Sequence, residues 1–168
     1  MLGVASLAGL AGCAPLAPPR HAPPKTPVCR TATAWSTAYA RERALGALPA
    51  GHVRVLSYRI GAHPAIGRPC GSLILTKHLT LLRGPGALQV VEVRDFYTHG
   101  HLVASHRSVL SHALRASGAY IGRLTLPIPG NAPAGRYEVV SRLYARWGLG
   151  PSLLIARASA HFSVARAP

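Results

Sequence analysis

The sequence predicts an all-β fold, an antiparallel β-sandwich of about seven strands. Apolar and polar residues alternate in several segments, most regularly from Leu154 to Val164, and such alternation is typical of half-buried strands. Turn signals rich in glycine and proline separate the segments. The sequence shows neither the strand–helix–strand rhythm of a parallel sheet nor a glycine-rich phosphate loop.

Composition narrows the class of protein further. The chain has 168 residues, which is about one domain. Hydrophobic residues make up 49% and charged residues 14%, too apolar a balance for a disordered polyelectrolyte. The sequence contains no stretch of about 18 purely apolar residues, so no ordinary transmembrane helix is predicted. With only 4 acidic residues, metal cages built from many carboxylates are excluded as well.

The N-terminal residues end in a short motif, Leu10-Ala11-Gly12-Cys13, preceded by an apolar stretch. The motif resembles the lipobox of bacterial lipoproteins. That resemblance implies a signal peptide over residues 1–12, cleavage before Cys13 and attachment of lipid to its thiol. Ala14 follows in place of aspartate, which in a Gram-negative host resembles an outer-membrane sorting signal. We therefore expect a lipid-anchored protein of the cell envelope that faces the periplasm.

The segment after Cys13 fits an anchored domain, although no lysine or arginine precedes the apolar stretch. Residues 14–28 contain six prolines, which predicts an extended polyproline II tether, with a ligand for a proline-reading groove as the alternative. Residues 13–28 are thus expected to be a lipidated cysteine with its linker, and residues 29–168 the folded domain.

The cysteine count supports a disulfide. If Cys13 carries lipid, Cys29 and Cys70 remain as a pair, and an oxidising envelope permits a bridge between them. It would close a loop of about 40 residues, which the chain-entropy model values at roughly 4 kcal/mol. The alternatives are two free thiols or a thiol redox site, but a redox site usually shows a Cys-x-x-Cys pair.

Local patterns place most strands and leave two segments open. Residues 31–48 allow one short helix, because Trp35, Tyr39 and Glu42 recur near helical spacing, and residues 107–118 are an uncertain connection. The predicted strands are 52–60, 72–82, 87–97, 101–106, 120–128, 136–147 and 153–165.

Two of these strands carry a special signal. Within 52–60 the alternation slips: Val53 and Val55 share one face, and the other face takes Leu56, Tyr58 and Ile60. A slip of this kind predicts a β-bulge. The prolines of 120–128 indicate either an edge strand or the end of a strand.

One local motif refines the fold. Residues 133–137 read Pro-Ala-Gly-Arg-Tyr and resemble the Pro-x-Gly-x-Tyr corner of immunoglobulin-like and fibronectin-type sandwiches. The resemblance implies an immunoglobulin-like β-sandwich in which Gly135 and Tyr137 are structural, with the tyrosine hydroxyl bonded back to the backbone. The Cys…Trp…Cys pattern of antibody domains is absent from the sequence.

The best candidate for a metal site is the expected hairpin turn at Thr98–His101. His99 and His101 are alternate residues, which point the same way in an extended chain, and imidazole suits copper, zinc or nickel. Further metal ligands could come from His78, His106 and His112. The alternative to a metal site is a plain surface loop. We expect no cofactor.

No enzymatic activity is expected. The sequence lacks the Gly-x-Ser-x-Gly elbow of serine hydrolases. Glu92 and Asp95 are three residues apart, so on a strand they face opposite sides and cannot form a carboxylate pair. Glu138 is expected to be a solvent-facing strand residue.

The formal net charge is +15. All basic residues except Lys25 and Lys77 are arginines, and they are spread along the chain, as the codons of a GC-rich genome would produce. The functional alternative is a polyanionic partner, such as phosphates on a membrane or an envelope polymer.

Together these features predict a lipid-anchored envelope protein with a binding or structural β-sandwich, and a protein in an envelope assembly as its partner. A copper- or zinc-binding sandwich and a binder of envelope polyanions are the alternatives. For an exported domain we expect no nucleic-acid partner.

Overall fold

A computed structural model describes Cys29 and residues 37–166, and within them the predicted β-sandwich is confirmed. Nine strands are present, two more than the sequence patterns indicate. Their bounds are β1 Thr37–Ala44, β2 Val53–His63, β3 Ile66–Gly67, β4 Ser72–Arg83, β5 Leu88–Thr98, β6 His101–Val109, β7 Gly118–Pro127, β8 Gly135–Trp147 and β9 Leu153–Val164. The signal peptide, Cys13 and the linker of the sequence analysis lie outside the described residues.

The strands form two sheets that pack face to face. One is four-stranded with the order β1-β7-β4-β2, and the other is five-stranded with the order β3-β9-β8-β5-β6. Neighbouring strands are antiparallel except for the short β3, which pairs with β9 in parallel. In the described part of the chain, no helix is long and apolar enough to cross a membrane.

The short helix allowed for residues 31–48 is wrong for the part that the structure describes. Residues Thr37–Ala44 form β1, which pairs with β7. A Cβ at Gly122 would lie 2.7 Å from the Tyr39 ring, so this glycine leaves room for the ring to pack on β7. Pairing with a distant strand therefore overrides the local helical spacing.

The expected bulge in β2 is present, between Val55 and Ser57. It turns Tyr58 and Ile60 to the same side as Val55, because one extra residue reverses the facing of all that follow. Leu56 is therefore not grouped with Tyr58 as predicted; it is 50% exposed.

Two other segments differ from the sequence prediction. β7 is not an edge strand, since it lies between β1 and β4, and its proline marks its end at Pro127. The uncertain connection 107–118 begins as the last part of β6, and a turn at residues 111–113 leads to β7.

The core consists of two apolar clusters with polar residues between them. On β4, Leu75 belongs to one cluster and Leu79 to the other, and Lys77 lies between them with no exposed surface. On β5, Glu92 and Arg94 likewise separate the two clusters and are buried. A charged layer thus crosses the middle of the sandwich.

Candidate functional site

The histidines proposed as metal ligands are divided between the two sheets. His99 lies in the turn between β5 and β6 and has a positive φ of 50°, whereas His101 is the first residue of β6. His78 lies on the other sheet, in β4. Within residues 37–166, no group of three or more histidine, cysteine or acidic side chains is arranged to hold a metal ion.

The two structural features expected from motifs have defined geometry. Cys29 and Cys70 form a disulfide with a Cα–Cα distance of 5.1 Å. The Tyr137 hydroxyl donates a hydrogen bond to the carbonyl of Pro133 at 2.8 Å, and its ring stacks on Phe162 with 5.2 Å between centroids. Tyr137 thereby joins the corner before β8 to the core.

Arginines form a row on the outer face of the five-stranded sheet. Arg107 of β6 lies opposite Val93 of β5, Val93 lies opposite Arg142 of β8, and Arg142 lies opposite Arg157 of β9. All four residues share one face, since directly opposed residues of antiparallel strands point the same way. With strands about 4.8 Å apart, the row is about 14 Å long.

A concavity of about 510 Å³ lies next to this row. Arg142 and Arg157 line it, and Arg136 adds a third guanidinium from the start of β8. It is further lined by Tyr97, His99, Gly100, Tyr137, Glu138, Val140 and His161. We call the arginine row and this concavity together the basic face.

One arginine of the basic face is held in place by its neighbours. Arg142 forms an ion pair with Asp95, and the Ser105 hydroxyl donates a hydrogen bond to the same carboxylate at 2.6 Å. A hydrogen bond to Tyr97 and the negative charge of Asp95 raise the pKa of the Arg142 guanidinium. Arg142 is thus a fixed, permanently charged group at the centre of the face.

The other arginines of the basic face have no such partner. Arg107, Arg136 and Arg157 are exposed, and no ion pair joins any of them to another residue of the described chain. Arg157 lies directly opposite Arg142 across β8 and β9. Because Asp95 is already paired with Arg142, the charge of Arg157 has no counterion among the described residues.

The charged layer between the two apolar clusters is buried and closed to solvent. Lys77 Nζ lies 2.6 Å from the Glu92 carboxylate, and Arg94 lies 2.8 Å from it. The hydroxyls of Ser141 and Tyr58 also donate hydrogen bonds to Glu92, at 2.5 and 3.1 Å. Since Lys77 and Glu92 have no exposed surface, we assign the layer a structural role.

Burial and mutual attraction shift the pKa values of the ionisable groups in this layer. Burial alone would raise the pKa of Glu92, but the positive charges of Lys77 and Arg94 outweigh burial and lower it. For Lys77, burial is the larger influence and lowers its pKa to about 8, against the attraction of Glu92. Burial, and then the charge of Glu92, raise the pKa of Tyr58.

Sequence analysis missed both the buried layer and the arginine row. The layer has a signal in the sequence: Lys77 interrupts the leucine face of its strand, and Glu92 and Arg94 stand at alternate positions of the next. The arginine row has no local signal, because its residues come from three strands and only the pairing register aligns them.

A second concavity, of about 290 Å³, is apolar. It lies between β6 and residues 126–133, and its lining includes Leu73, Phe96, Val103 and Ile128. Nothing in the structure shows what would cover it.

Comparison with known proteins identifies no family. No protein-family model matches the chain, and no curated protein matches it. Among solved structures, one similar to this chain is the CARDB domain of the PF1109 protein from Pyrococcus furiosus, determined in complex with di-metal ions. It is 14% identical to this chain with a TM-score of 0.43, and the match covers 71% of this chain and 95% of that one. The C-terminal domain of wzt is 13% identical with a TM-score of 0.49, covering 78% of this chain and 83% of that one.

A third similar structure is the alkylpurine DNA glycosylase AlkC from Pseudomonas fluorescens, bound to DNA containing an abasic site analog. It is 16% identical with a TM-score of 0.41, and the match covers 68% of this chain and 30% of that one. Likenesses this distant concern the fold alone. The chain is an all-β sandwich.

Proposed function

We propose that this chain is a lipid-anchored protein of the cell envelope whose β-sandwich binds anionic polymers through the basic face. The observation that carries this proposal is the row of Arg107, Arg142 and Arg157 on one face of the five-stranded sheet, in which only Arg142 has an acidic partner among the described residues. Unpaired positive charges gathered on one face attract anions.

The chemistry of the face suits repeated anionic groups. A guanidinium offers two parallel N–H donors to a carboxylate or a phosphate. Arg107, Arg136 and Arg157 are exposed and available for such contacts. The net charge of +15 attracts polyanions over longer distances. The protein partner expected from the sequence stays a prediction, and so does the expected lack of a nucleic-acid partner.

Removing two arginines of the row tests the binding function. In Arg107→Gln/Arg157→Gln we expect affinity for dextran sulfate to fall about tenfold or more, since hydrogen bonds to charged groups are worth about 1.5–3 kcal/mol each. The salt dependence of binding should become shallower, because fewer counterions are released. Isothermal titration calorimetry over a series of salt concentrations measures both quantities.

The matched control changes two exposed arginines of the other sheet, Arg59 and Arg123, to glutamine. It alters the net charge by the same amount. If the control weakens binding as much as the row variant does, binding depends on overall charge and the proposed face is wrong.

The lipid anchor needs its own experiment, since Cys13 lies outside the described residues. Cells expressing the full chain are labelled with a palmitate analogue, and their membranes are separated. We expect label and membrane association in the wild type and in Cys29→Ala, and the loss of both in Cys13→Ala. Wild-type protein without label would refute the anchor and leave the binding proposal to stand on the basic face.

A further inference from the structure

We propose that the polymer bound by the basic face is an acidic glycan, in which hydroxyl groups accompany the anionic groups. This inference rests on the proposed function and adds the class of ligand. It is carried by Glu138, a carboxylate placed within a concavity whose other charged side chains are basic.

Glu138 has no internal role in the described structure. It lies opposite Tyr97 of β5 and His161 of β9, and no side-chain hydrogen bond or ion pair joins its carboxylate to another described residue. Asp95, the other carboxylate of this sheet face, is by contrast occupied by Arg142 and Ser105. Glu138 therefore keeps its oxygens available to a ligand.

A carboxylate in an anion site discriminates between polymers. It repels a ligand that presents only phosphate or sulfate oxygens. It accepts hydrogen bonds from a ligand with hydroxyl groups, and a bond to a charged acceptor is stronger than one between neutral groups. Arg142 and Arg157 on one side and Glu138 on the other thus suit a sugar with both kinds of substituent.

The remaining lining is consistent with a sugar ring. Tyr97 lies opposite Glu138 across β5 and β8 and lines the concavity with it, and a tyrosine ring supplies an apolar surface next to a polar group. The volume of about 510 Å³ falls within the range of small-ligand sites, roughly 300–1,000 Å³.

The test compares two kinds of polyanion on one substitution. Binding of polygalacturonate and of a phosphomannan, both acidic glycans, is measured beside inorganic polyphosphate for the wild type and Glu138→Gln. We expect the substitution to weaken binding of at least one glycan about fivefold, because a charged acceptor is lost. It should tighten binding of polyphosphate, because a repulsive charge is removed.

The control is Glu42→Gln, which makes the same charge change on an exposed residue of the other sheet and should change none of these affinities by more than about twofold. Tighter binding of every polymer by Glu138→Gln would overturn the glycan inference and leave the anion-binding face intact. Wild-type binding of polyphosphate without either glycan would overturn it as well. Binding of no polyanion at all would overturn the proposed function together with the inference.

Discussion

Glu92 is the residue on which the interior of this sandwich depends. One carboxylate faces two buried cations, Lys77 at 2.6 Å and Arg94 at 2.8 Å, so the group carries one positive charge in excess. Buried charges are costly unless they are paired. The lowered pKa of Lys77 reflects that cost, whereas the lowered pKa of Glu92 shows that its ionised form is favoured.

Two substitutions should therefore differ strongly in their effect on stability. Glu92→Gln leaves both cations unpaired, and we expect the free energy of unfolding to fall by about 3–5 kcal/mol. Lys77→Met keeps the Glu92–Arg94 pair and removes the excess charge, so a change of less than about 1.5 kcal/mol in either direction is expected. Urea unfolding of the two variants and the wild type measures the difference.

The pH dependence of unfolding checks the same assignment. Because the pKa of Glu92 is lowered in the folded protein from its usual 4.5, the unfolded chain takes up the proton first as the pH falls. The contribution of Glu92 to stability is thus complete above pH 4.5 and lost as the pH falls towards the folded-state pKa. Glu92→Gln should lack this component. If Glu92→Gln and Lys77→Met lowered the free energy of unfolding equally, the role of Glu92 would be contradicted.

At the scale of single elements, the sequence predicts a strand well where one face is apolar and the partner strands are near in the chain. β4 shows this clearly, since its four inward leucines are buried and alternate in the sequence. β1 shows the limit: its partner β7 lies about 80 residues later, and the space for Tyr39 exists because Gly122 has no side chain. No window of local sequence contains that information.

Irregular pairing limits prediction in a second way. The slip in β2 reveals a bulge, but the apolar character of Leu56 favours a buried position, whereas the bulge turns it outward. A shift by one residue reverses every facing that follows. The existence of a bulge can thus be inferred from the sequence while its exact position and its effect on each side chain cannot.

Across the whole molecule, the scarcity of carboxylates determines where charge is left unbalanced. Of the 4 acidic residues in the chain, Glu92 serves the interior and Asp95 serves Arg142. The other arginines of the basic face therefore have no acidic partner among the described residues. This imbalance is visible in composition, but the row itself depends on register shifts in the β5–β6 and β8–β9 pairs. The sequence could therefore suggest a polyanion without locating its site.

The disulfide acts on the same whole-molecule scale, because it joins a point before β1 to the loop between β3 and β4. Cys29 and Cys70 are 41 residues apart, and closing a loop of this length lowers the entropy of the unfolded chain by an amount worth about 4 kcal/mol.

We expect Cys70→Ser to lower the free energy of unfolding by about that amount in urea denaturation, measured in a Cys13→Ala background that removes the third thiol. Cys29→Ser should lose the same amount, and so should the chain with both cysteines after its disulfide is reduced. All three changes abolish the same bridge. If the two serine variants differed markedly, the loss would come from the local surroundings of Cys70, whose backbone N–H is bonded to the Ile128 carbonyl, and not from loop closure.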